Sequence, residues 1–513
     1  MKRKLTINFL LSYKGIIMPS LIWKGKNDEL NLVDLSNKDS FQQVKNSIDN
    51  LFEKYDAYFK EEINKKVWNN LLICGENKLL MKLLLKDYSN KINLIYIDPP
   101  FATGGNFTYK IHIGSKSHTE SAKAYSDTWS EGLESYLTFL YKRLVLMKYL
   151  LSENGSIYVH LDWHVSHYIK IILDEIFGTE NFRNEIIWSY PAASVQTRRF
   201  FIRSYDVILF YTKSNDYIFN DDPNIYMEYS NRVKNALKKD EQGTFYYRGG
   251  SHNGKKLSRK VYVKQSGIFP RDLWNDIPYI RANTSEYQGF STQKPERLLK
   301  RIILASSNEN DLVADFFCGT GTTLIVAEKL KRRWLGCDLA KPTINIARKR
   351  ILDISNSNDM YRWEEPYKFS YQPFELITLN QKDANIFQNF LTENSKKGLK
   401  LAETPIFDVS INQTGNKVRI ELLNYKLPYS LNDEITAKLV SFHDLIDYWA
   451  IDFNHSSNCF HNVWFSYKTP KNRTLELISE TYKYVEPKQY QILVKVINIF
   501  GQESIQSYNI NIE

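Results

Sequence analysis

Short apolar runs of strand type alternate with amphipathic helical segments along two stretches of this 513-residue chain, and this rhythm limits the fold more than any other feature. A strand, a helix and another strand form the repeating unit of a parallel sheet covered by helices. In the first stretch we predict helices at residues 77–86, 133–151 and 167–177 and strands at residues 92–97, 156–161 and 207–211. In the second we predict helices at residues 295–306 and 322–331 and strands at residues 312–316 and 334–337. The sequence therefore predicts an α/β fold with a doubly wound, mainly parallel sheet.

The rhythm fails between about residues 212 and 285, where Asn, Asp, Tyr, Gly and Lys dominate and Gly249-Gly250 interrupts the chain. From Arg232 to Lys264, ten Lys and Arg residues stand against two acids, which gives a local net charge of +8 out of +10 for the whole chain. A charge run is often only a solvated surface. Together with 14% aromatic residues, however, it favours nucleic acid as a partner, because cations neutralise phosphates and rings stack on bases.

The last hundred residues are predicted to be all-β. Apolar and polar residues alternate over residues 407–423 around Thr414-Gly415-Asn416, and apolar runs follow at residues 491–499 and 507–512. The closing strands, residues 490–501 and 508–510, resemble those of a PKD-like sandwich of the immunoglobulin type. The sequence leaves open whether this region docks a partner or adds contacts to DNA.

Cysteine usage and hydropathy limit the compartment. Four cysteines lie far apart without a Cys-x-x-Cys pair, so we expect neither a disulfide framework nor a Cys-rich zinc site, and a cytoplasmic location fits. The apolar run of residues 5–11 contains Asn8 and is followed by no small-residue cleavage site, which argues against a signal peptide. No apolar segment reaches the roughly 20 residues of a membrane span.

A glycine-containing turn joins a predicted strand to a predicted helix at Asp315-Phe316-Phe317-Cys318-Gly319-Thr320-Gly321-Thr322-Thr323. Glycines let the backbone approach a ligand, and a helix N-terminus offers free N–H groups, although such glycines also serve purely structural turns. Asp338, after the next strand, is placed to accept hydrogen bonds from a ribose diol. The turn lacks the glycine spacing of a dinucleotide site and the Gly-Lys-Ser/Thr of a P-loop, so it indicates another nucleotide-like ligand.

A second motif, Asp98-Pro99-Pro100-Phe101, ends the strand at residues 92–97. Two prolines keep the chain extended and remove two backbone donors. The Asp98 carboxylate and the Pro99 carbonyl can then accept both hydrogens of an exocyclic amino group, and Phe101 can stack on the attached base. Alone, Asp-Pro-Pro is also a common way to end a strand.

The order of the two motifs, with the basic segment between them, resembles the beta class of DNA amino-methyltransferases, whose glycine loop binds S-adenosylmethionine. The flanking residues 155–164, 181–188, 206–213 and 292–295 are similar to those of the type III-like, site-specific adenine enzymes. The similarity covers residues 70–350. Phe316 departs from the family pattern, which has Pro there, and we expect altered packing without loss of cofactor binding.

The resemblance implies a role for each motif residue. Catalysis is expected from Asp98, Pro99, Pro100 and Phe101, with N6 of a flipped adenine as the target, because cytosine-N4 members usually carry Ser where Asp98 stands. The expected S-adenosylmethionine site comprises Asp315, Phe317, Gly319, Thr320, Gly321, Thr322, Asp338, Lys294 and Asn77. Within it, Thr322 and Thr323 are expected to cap the helix, Asp338 to hold the ribose, Lys294 to lie over the cofactor and Asn77 to lie near its adenine. DNA contacts are expected from Lys255, Lys256, Arg259 and Lys260.

The resemblance also divides the chain. We predict an N-terminal leader and extension (residues 1–60), a catalytic α/β half (61–212), a basic target-recognition insert (213–288), a cofactor-binding α/β half (289–365), a linker (366–404) and a β-sandwich-like domain (405–513). In His160-x-Asp162-x-His164 we expect Asp162 to cap the following helix, and we assign no metal.

The sequence thus predicts a sequence-specific DNA adenine-N6 methyltransferase of a restriction-modification or related defence system. Double-stranded DNA is the expected partner, a restriction endonuclease subunit and a homodimer are compatible with the family, and no membrane is involved. Two alternatives stay open: cytosine-N4 or RNA methylation, and a catalytically silent DNA-binding subunit that recruits a nuclease.

Overall fold

The computed structural model describes residues 6–11, 17–23, 26, 52–58, 70–114, 118–127, 129, 132–191, 199, 201–249, 251–252, 255–256, 258–263, 267–379, 406–428, 431, 436–456 and 459–513. Gly250, Lys264, the side chains of Lys255 and Lys256, and residues 380–404 of the predicted linker lie outside the described residues. No helix in the described ranges is long and apolar enough to cross a membrane.

The first stretch of the chain alternates strands and helices. In chain order these are β1 (Thr6–Leu11), β2 (Ile17–Ile22), β3 (Phe52–Tyr58), β4 (Asn70–Cys74), α1 (Asn77–Tyr88), β5 (Ile92–Ile97), β6 (Asn106–Ile113), β7 (His118–Ser126), α2 (Leu133–Leu150), β8 (Leu151–Leu161), α3 (Ser166–Phe177), β9 (Phe182–Ser189) and β10 (Tyr205–Thr212). Local signals set the helix ends. The Glu76 carboxylate accepts hydrogen bonds from the first amides of α1, and Gly178, with φ +92°, ends α3.

One short helix and six short strands precede a second α/β stretch. In chain order, these elements and those of the second stretch are α4 (Asn231–Asn235), β11 (Lys238–Asp240), β12 (Gly243–Arg248), β13 (Ser251–His252), β14 (Lys255–Lys256), β15 (Arg259–Tyr262), β16 (Leu273–Trp274), α5 (Glu296–Ser306), β17 (Leu312–Asp315), α6 (Thr322–Lys329), β18 (Arg333–Asp338), α7 (Lys341–Leu352) and β19 (Phe374–Leu379). The C-terminal strands are β20 (Ile406–Thr414), β21 (Lys417–Lys426), β22 (Ile446–Asp452), β23 (Phe460–His461), β24 (Trp464–Tyr467), β25 (Tyr482–Lys483), β26 (Gln489–Asn498) and β27 (Glu503–Asn511).

One eleven-stranded sheet organises the described residues, in the order β16-β9-β10-β8-β5-β17-β18-β4-β19-β3-β23. Its centre, from β8 to β19, is parallel. Along β5, Leu94 and Tyr96 pack towards α5, α6 and α7, whereas Ile95 and Ile97 pack towards α1, α2 and α3. Helices therefore cover both faces, which explains why the central strands are continuous apolar runs and confirms the predicted doubly wound α/β fold.

Residues that the predicted division assigns to the N-terminal extension and the linker contribute strands to this sheet. β3 pairs with β19, and β19 pairs in parallel with β4. The rings of Tyr58 and Phe374 stack between β3 and β19 with centroids 4.4 Å apart. Each strand is short and its pairing partner is distant in sequence, so periodicity gave no indication of either one.

Two further predictions were wrong. Asn154-Gly155 does not end a helix, because α2 stops at Leu150 and β8 begins at Leu151, which pairs with Ile92. The insert is also less irregular than predicted, since β11, β12 and β15 form a three-stranded antiparallel sheet. Within β12 only Phe245 is buried, so its apolar pattern was too thin to detect.

The C-terminal region is all-β, as predicted. β20 and β21 form a hairpin around Gly415, whose φ is +57°. One sheet has the order β20-β21-β25 and the other β24-β22-β26-β27, and they share a core that includes Phe407, Val418, Trp449 and Val494. The resemblance to PKD-like domains stays a prediction.

Candidate active site

The carboxyl ends of neighbouring parallel strands carry the residues predicted from the two motifs. Asp98 follows β5 directly, Asp315 ends β17, Asp338 ends β18, and Asn77 follows β4. β5 and β17 are neighbours, yet the chain continues from β5 to β8 on one side and from β17 to β18 on the other. Such a switch point leaves a crevice outside the strand ends, where α/β proteins bind ligands.

Asp98 presents one paired and one unpaired oxygen at this crevice. Lys294 Nζ donates to Asp98 Oδ2 at 2.5 Å, and both side chains are largely buried. Asp98 Oδ1 is buried and has no hydrogen-bond partner among the described residues. Because an unsatisfied buried acceptor is costly, this oxygen is a candidate acceptor for a ligand's donor. Lys294 thus contacts the carboxylate of the other motif, and its position over the cofactor stays a prediction.

Phe101 rests on a buried aromatic support. Its ring is nearly parallel to the imidazole of His160, with centroids 6.2 Å apart. His160 is fully buried, with Nδ1 2.8 Å from Tyr96 Oη and Nε2 3.1 Å from Asp206 Oδ2. Tyr190 Oη donates to the other oxygen of Asp206 at 2.9 Å. Hydrogen bonds on both sides fix the imidazole and so give Phe101 a defined position.

The loop after Phe101 is closed by a buried carboxylate. Asp127 is 0% exposed and accepts hydrogen bonds from the backbone amides of Ala102 at 3.0 Å and Thr103 at 2.7 Å. Trp129 Nε1 donates to the same carboxylate at 3.0 Å. Ala102 has φ +55°, an unfavourable value for a residue with a Cβ, so Asp127 stabilises a strained turn beside the site.

The glycine loop turns at two residues with positive φ. Gly319 has φ +50° and Gly321 has φ +80°. A Cβ at Gly321 would lie 2.9 Å from Ala347 Cβ, whereas a Cβ at Gly319 would have no atom within 4 Å. Gly319 N donates to Asp338 Oδ2 at 3.0 Å. Gly321 is therefore required by packing against α7, and Gly319 borders open space.

Asp315 closes the base of this loop. Its Oδ1 accepts from Phe317 N at 2.9 Å and its Oδ2 from Thr323 Oγ1 at 2.5 Å. Burial, with a smaller contribution from the nearby Asp98 and Asp338 carboxylates, raises the pKa of Asp315 to about 7. Both oxygens are already engaged, so the structure supports a role in shaping the loop.

The predicted threonine caps are wrong. α6 has Gly321 as its N-cap and no side-chain cap hydrogen bond. Thr323 instead bonds Asp315, while Arg350 Nη1 donates to the Thr320 carbonyl at 2.9 Å and to Thr322 Oγ1 at 3.1 Å. The threonines therefore face the protein interior, where the buried Arg350 of α7 fixes the position of the glycine loop.

Asn77 is also engaged within the protein. Its Nδ2 donates to the Phe316 carbonyl at 2.8 Å, and its Oδ1 accepts from Arg143 Nε at 2.6 Å. This supports a role in positioning the loop, and the location of Asn77 near the cofactor's adenine stays a prediction. Phe316 is fully buried in the core shared with α1, α2 and α3, and Phe317 packs edge-on against Phe139 with centroids 6.1 Å apart.

The His160 to His164 motif separates into two unrelated pairs. His160 points to Asp206, whereas the Asp162 carboxylate accepts from His164 N at 2.9 Å and lies 2.5 Å from His164 Nδ1. Val165, and not Asp162, is the N-cap of α3. No group of three metal-ligating side chains occurs in the part of the chain that the structure describes.

Of the four predicted DNA-binding residues, two have described side chains. Arg259 and Lys260 lie exposed on β15. Lys260 Nζ donates to Asp240 Oδ2 at 2.7 Å and lies 4.5 Å from the Phe245 ring centroid. Asp240 therefore partly neutralises Lys260, whereas Arg259 forms no ion pair among the described residues.

Comparison with known proteins agrees with this geometry. The sequence model of the N6/N4 DNA methylase family matches residues 92–349. The type II methyltransferase M.EcaI of Enterobacter cloacae is 30% identical over 395 residues, which cover 67% of this chain and 84% of that protein. The DNA adenine methyltransferase YhdJ of Escherichia coli K12 is 30% identical over 52% of this chain and 79% of its own. A probable type III Mod subunit, HindVI of Haemophilus influenzae, is 25% identical over 61% of this chain and 54% of its own.

A solved structure, the complex of M1.HpyAVI with SAM, aligns at 17% identity with a TM-score of 0.35, over 55% of this chain and 98% of that one. The family model covers half of the chain and includes both motifs, so the fold and the strand-end site define a DNA methylase. The chain belongs to the N6/N4 DNA methylase family, and the family predicted from its motifs is confirmed.

Sequence reasoning missed several residues that hold the site. His160 stacks on Phe101 and is bound by Asp206, Asp127 holds the backbone directly after Phe101, and Arg350 binds the glycine loop. None was assigned this role from the sequence, since each acts through a contact that the fold makes. The His-x-Asp-x-His motif was the one available signal. From it we expected Asp162 to cap the following helix and assigned no metal, and the support of Phe101 by His160 was not predicted.

Proposed function

We propose that this protein transfers the methyl group of S-adenosylmethionine to N6 of an adenine rotated out of a DNA duplex at a specific sequence. One observation carries the proposal: Asp98 Oδ1 is buried, unpaired and located at the switch point between β5 and β17. Phe101 lies beside it, and the glycine loop follows the adjoining strand.

Adenine N6 matches the acceptors of the Asp-Pro-Pro-Phe turn. The amino group has two N–H bonds, and its lone pair is delocalised into the ring, which makes N6 a poor nucleophile. Asp98 Oδ1 accepts one N–H and the Pro99 carbonyl accepts the other, so the lone pair is localised on N6. Because Lys294 occupies Oδ2, the free oxygen is the one that polarises the amine and receives its proton.

Stacking compensates for removal of the base from the duplex. Flipping costs a few kcal/mol, and a base stacked on an aromatic ring regains about 1–3 kcal/mol. Phe101 provides this ring, and its support by His160 reduces the entropy lost when the base binds.

The crevice at the glycine loop fits S-adenosylmethionine, which supplies an activated methyl group on a sulfonium. The open space at Gly319 gives the ligand access to the backbone. Asp338 accepts from Gly319 N, Ala340 N and Thr343 Oγ1. These donors fix its carboxylate beside the glycine loop, where we place the ribose of the cofactor. Asp315, Asn77 and Arg350 keep the loop in shape, so the chain contributes by positioning the reactants.

The DNA side of the proposal is the basic sheet of β11, β12 and β15. The names of the type II and type III relatives support a restriction-modification role. We also propose two protein partners: a nuclease subunit that binds this chain, and a second copy of the chain in a homodimer. Co-purification from the native host and sizing of the purified protein test these two partners.

Nucleoside analysis of the product tests the proposed function. Double-stranded DNA is incubated with the protein and isotopically labelled S-adenosylmethionine, digested to nucleosides and separated. The label should appear in N6-methyladenine. Label in N4-methylcytosine, label in RNA only, or DNA binding without any transfer would each replace the proposal with one of the alternatives predicted from the sequence.

A further inference from the structure

The β6–β7 hairpin starts and ends at the adenine loop. β6 begins five residues after Phe101, and β7 ends at Ser126, directly before Asp127. Asp127 closes the loop through the amides of Ala102 and Thr103, and Gly104 N donates to the Asp127 carbonyl at 3.1 Å. A displacement of the hairpin base therefore displaces the residues that follow Phe101.

The same hairpin also supports the segment that carries Lys294. Lys110 N donates to the Gly289 carbonyl at 3.1 Å, and Tyr109 forms an antiparallel bridge with Phe290. Gly289 and Phe290 lie four to five residues before Lys294, whose ammonium group pairs with Asp98. One hairpin thus contacts both sequence segments that meet at the Asp98 carboxylate.

The C-terminal sandwich holds this hairpin. An isolated two-stranded hairpin is at best marginally stable in water. Tyr109, Ile111 and Ile113 lie on one face of β6 and are buried in the core of the sandwich, together with Phe407 and Trp449. The hairpin therefore gains its fixed position from the C-terminal region, more than 290 residues further along the chain.

Polar contacts fix the far end of the hairpin. Arg473 Nη2 donates to the His112 carbonyl at 2.9 Å, and Arg473 Nε donates to the Gly114 carbonyl at 3.3 Å. Lys438 forms an ion pair with Glu120 on β7. A Cβ at Gly114 would lie 3.3 Å from the Lys438 carbonyl, so the chain at the end of β6 fits closely against the sandwich.

We propose that the C-terminal β sandwich positions the adenine loop through the β6–β7 hairpin, and that Arg473 is a positioning residue for methyl transfer. This inference rests on the proposed function of Asp98 and Phe101. It gives the β-rich region a role within catalysis, although Arg473 lies outside the residues 92–349 that match the DNA methylase family.

The test compares Arg473→Ala with Arg419→Ala in the full chain. Arg419 is a matched control, because it lies exposed on the same sandwich and its side chain contacts Ser479 within it. Three readouts are measured: the methylation rate, the fluorescence of 2-aminopurine placed at the target adenine, and the affinity for S-adenosylmethionine. Hydrogen exchange at the Ala102 and Thr103 amides reports the loop directly.

Arg473→Ala should lower the methylation rate roughly tenfold or more, weaken the base-flipping signal and speed exchange at Ala102 and Thr103, with cofactor affinity unchanged. Arg473→Lys, which retains a donor, should recover part of the rate, and Arg419→Ala should behave as wild type. Wild-type methylation and exchange in Arg473→Ala would overturn the inference.

A charge swap decides the matter if Arg473→Ala does not fold. Glu120→Lys should slow methylation, and Glu120→Lys combined with Lys438→Glu should restore it. A double variant no better than Glu120→Lys alone, or an unaffected single variant, would count against the inference. If wild-type protein transfers no methyl group, the proposed function fails, whereas the exchange experiment still tests the link between sandwich and loop.

Discussion

The two carboxylate oxygens of Asp98 have different partners: one is paired within the protein, and the other is available to a ligand in the crevice. Lys294 binds Oδ2 and thereby fixes the side-chain rotamer, so that Oδ1 has one orientation available for a ligand. The lysine comes from the segment before α5 and the aspartate from the end of β5. At the scale of one residue, the two halves of the catalytic fold therefore meet at this ion pair.

Asp315 predicts a pH dependence of folding stability. Its pKa is 3.8 in the unfolded chain and about 7 in the folded protein, so folding favours the protonated form. The resulting stabilisation is complete below the unfolded pKa and is lost as the pH rises through about 7. As the pH rises from about 5 to about 8, deprotonation of Asp315 should lower the free energy of unfolding by roughly 2–3 kcal/mol.

Urea unfolding of wild type and Asp315→Asn across this pH range measures the effect. Stability should fall more steeply with pH in the wild type. Glu286, whose pKa is also raised to about 7 by burial, titrates in both proteins, so the difference between them isolates Asp315. Parallel curves would show that Asp315 is ionised throughout.

At the scale of elements, the turn between β17 and α6 depends on Gly321. An alanine there has to adopt φ +80° and brings its Cβ to 2.9 Å from Ala347 Cβ. A left-handed conformation alone costs roughly 1–2 kcal/mol for a residue with a Cβ. Gly321→Ala should therefore shift the glycine loop and weaken S-adenosylmethionine binding by about tenfold or more.

Calorimetry of cofactor binding measures this loss. Gly415→Ala is the matched control, because Gly415 has φ +57° with no atom within 4 Å of a Cβ and lies in the β20–β21 hairpin. It should bind the cofactor as the wild type does. Equal affinities of Gly321→Ala and wild type would remove the glycine loop from the cofactor site.

The basic segment of residues 232–264 predicts a salt dependence. Replacing Lys255, Lys256, Arg259 and Lys260 by Ala should reduce the slope of log K against log salt by roughly 0.9 for each phosphate that is no longer neutralised. Cofactor affinity should hold. Lys260 should contribute less to this slope than Arg259 does, because Asp240 already pairs with Lys260.

Four exposed cations on the sandwich, Lys417, Arg419, Lys426 and Lys483, provide the matched control. Their replacement by Ala should leave the slope unchanged. The opposite result would be an unchanged slope after the replacements in the basic segment and a reduced slope after the control replacements. It would place the DNA-binding face on the sandwich.

Elements could be predicted where sequence and burial agree. β5 and β17 are almost entirely buried and mostly apolar because helices cover both faces of the sheet, so their limits were predicted to within one residue. β19 alternates buried and half-buried residues, and β12 buries only Phe245. A six-residue segment, or one with a single buried residue, does not stand out from a loop, which is why β19 and the small sheet were missed.

At the scale of the whole molecule, contacts between distant residues decide what the motifs can do. Gly114 and Arg473 are 359 residues apart, and the buried pair of Asp56 and Lys495 joins β3 to β26 across 439 residues. Composition and spacing describe neighbours in sequence only. The motifs therefore predicted the chemistry of the site, whereas its support by His160, Arg350 and the sandwich required the fold.

The whole account depends on Asp98 as the acceptor that polarises adenine N6. The most direct test measures N6-methyladenine formed by wild type and by Asp98→Ala, with S-adenosylmethionine affinity determined for the same preparations. The predicted result is a rate reduced by at least about 100-fold with cofactor affinity retained. An Asp98→Ala protein that forms N6-methyladenine at the wild-type rate would contradict the account.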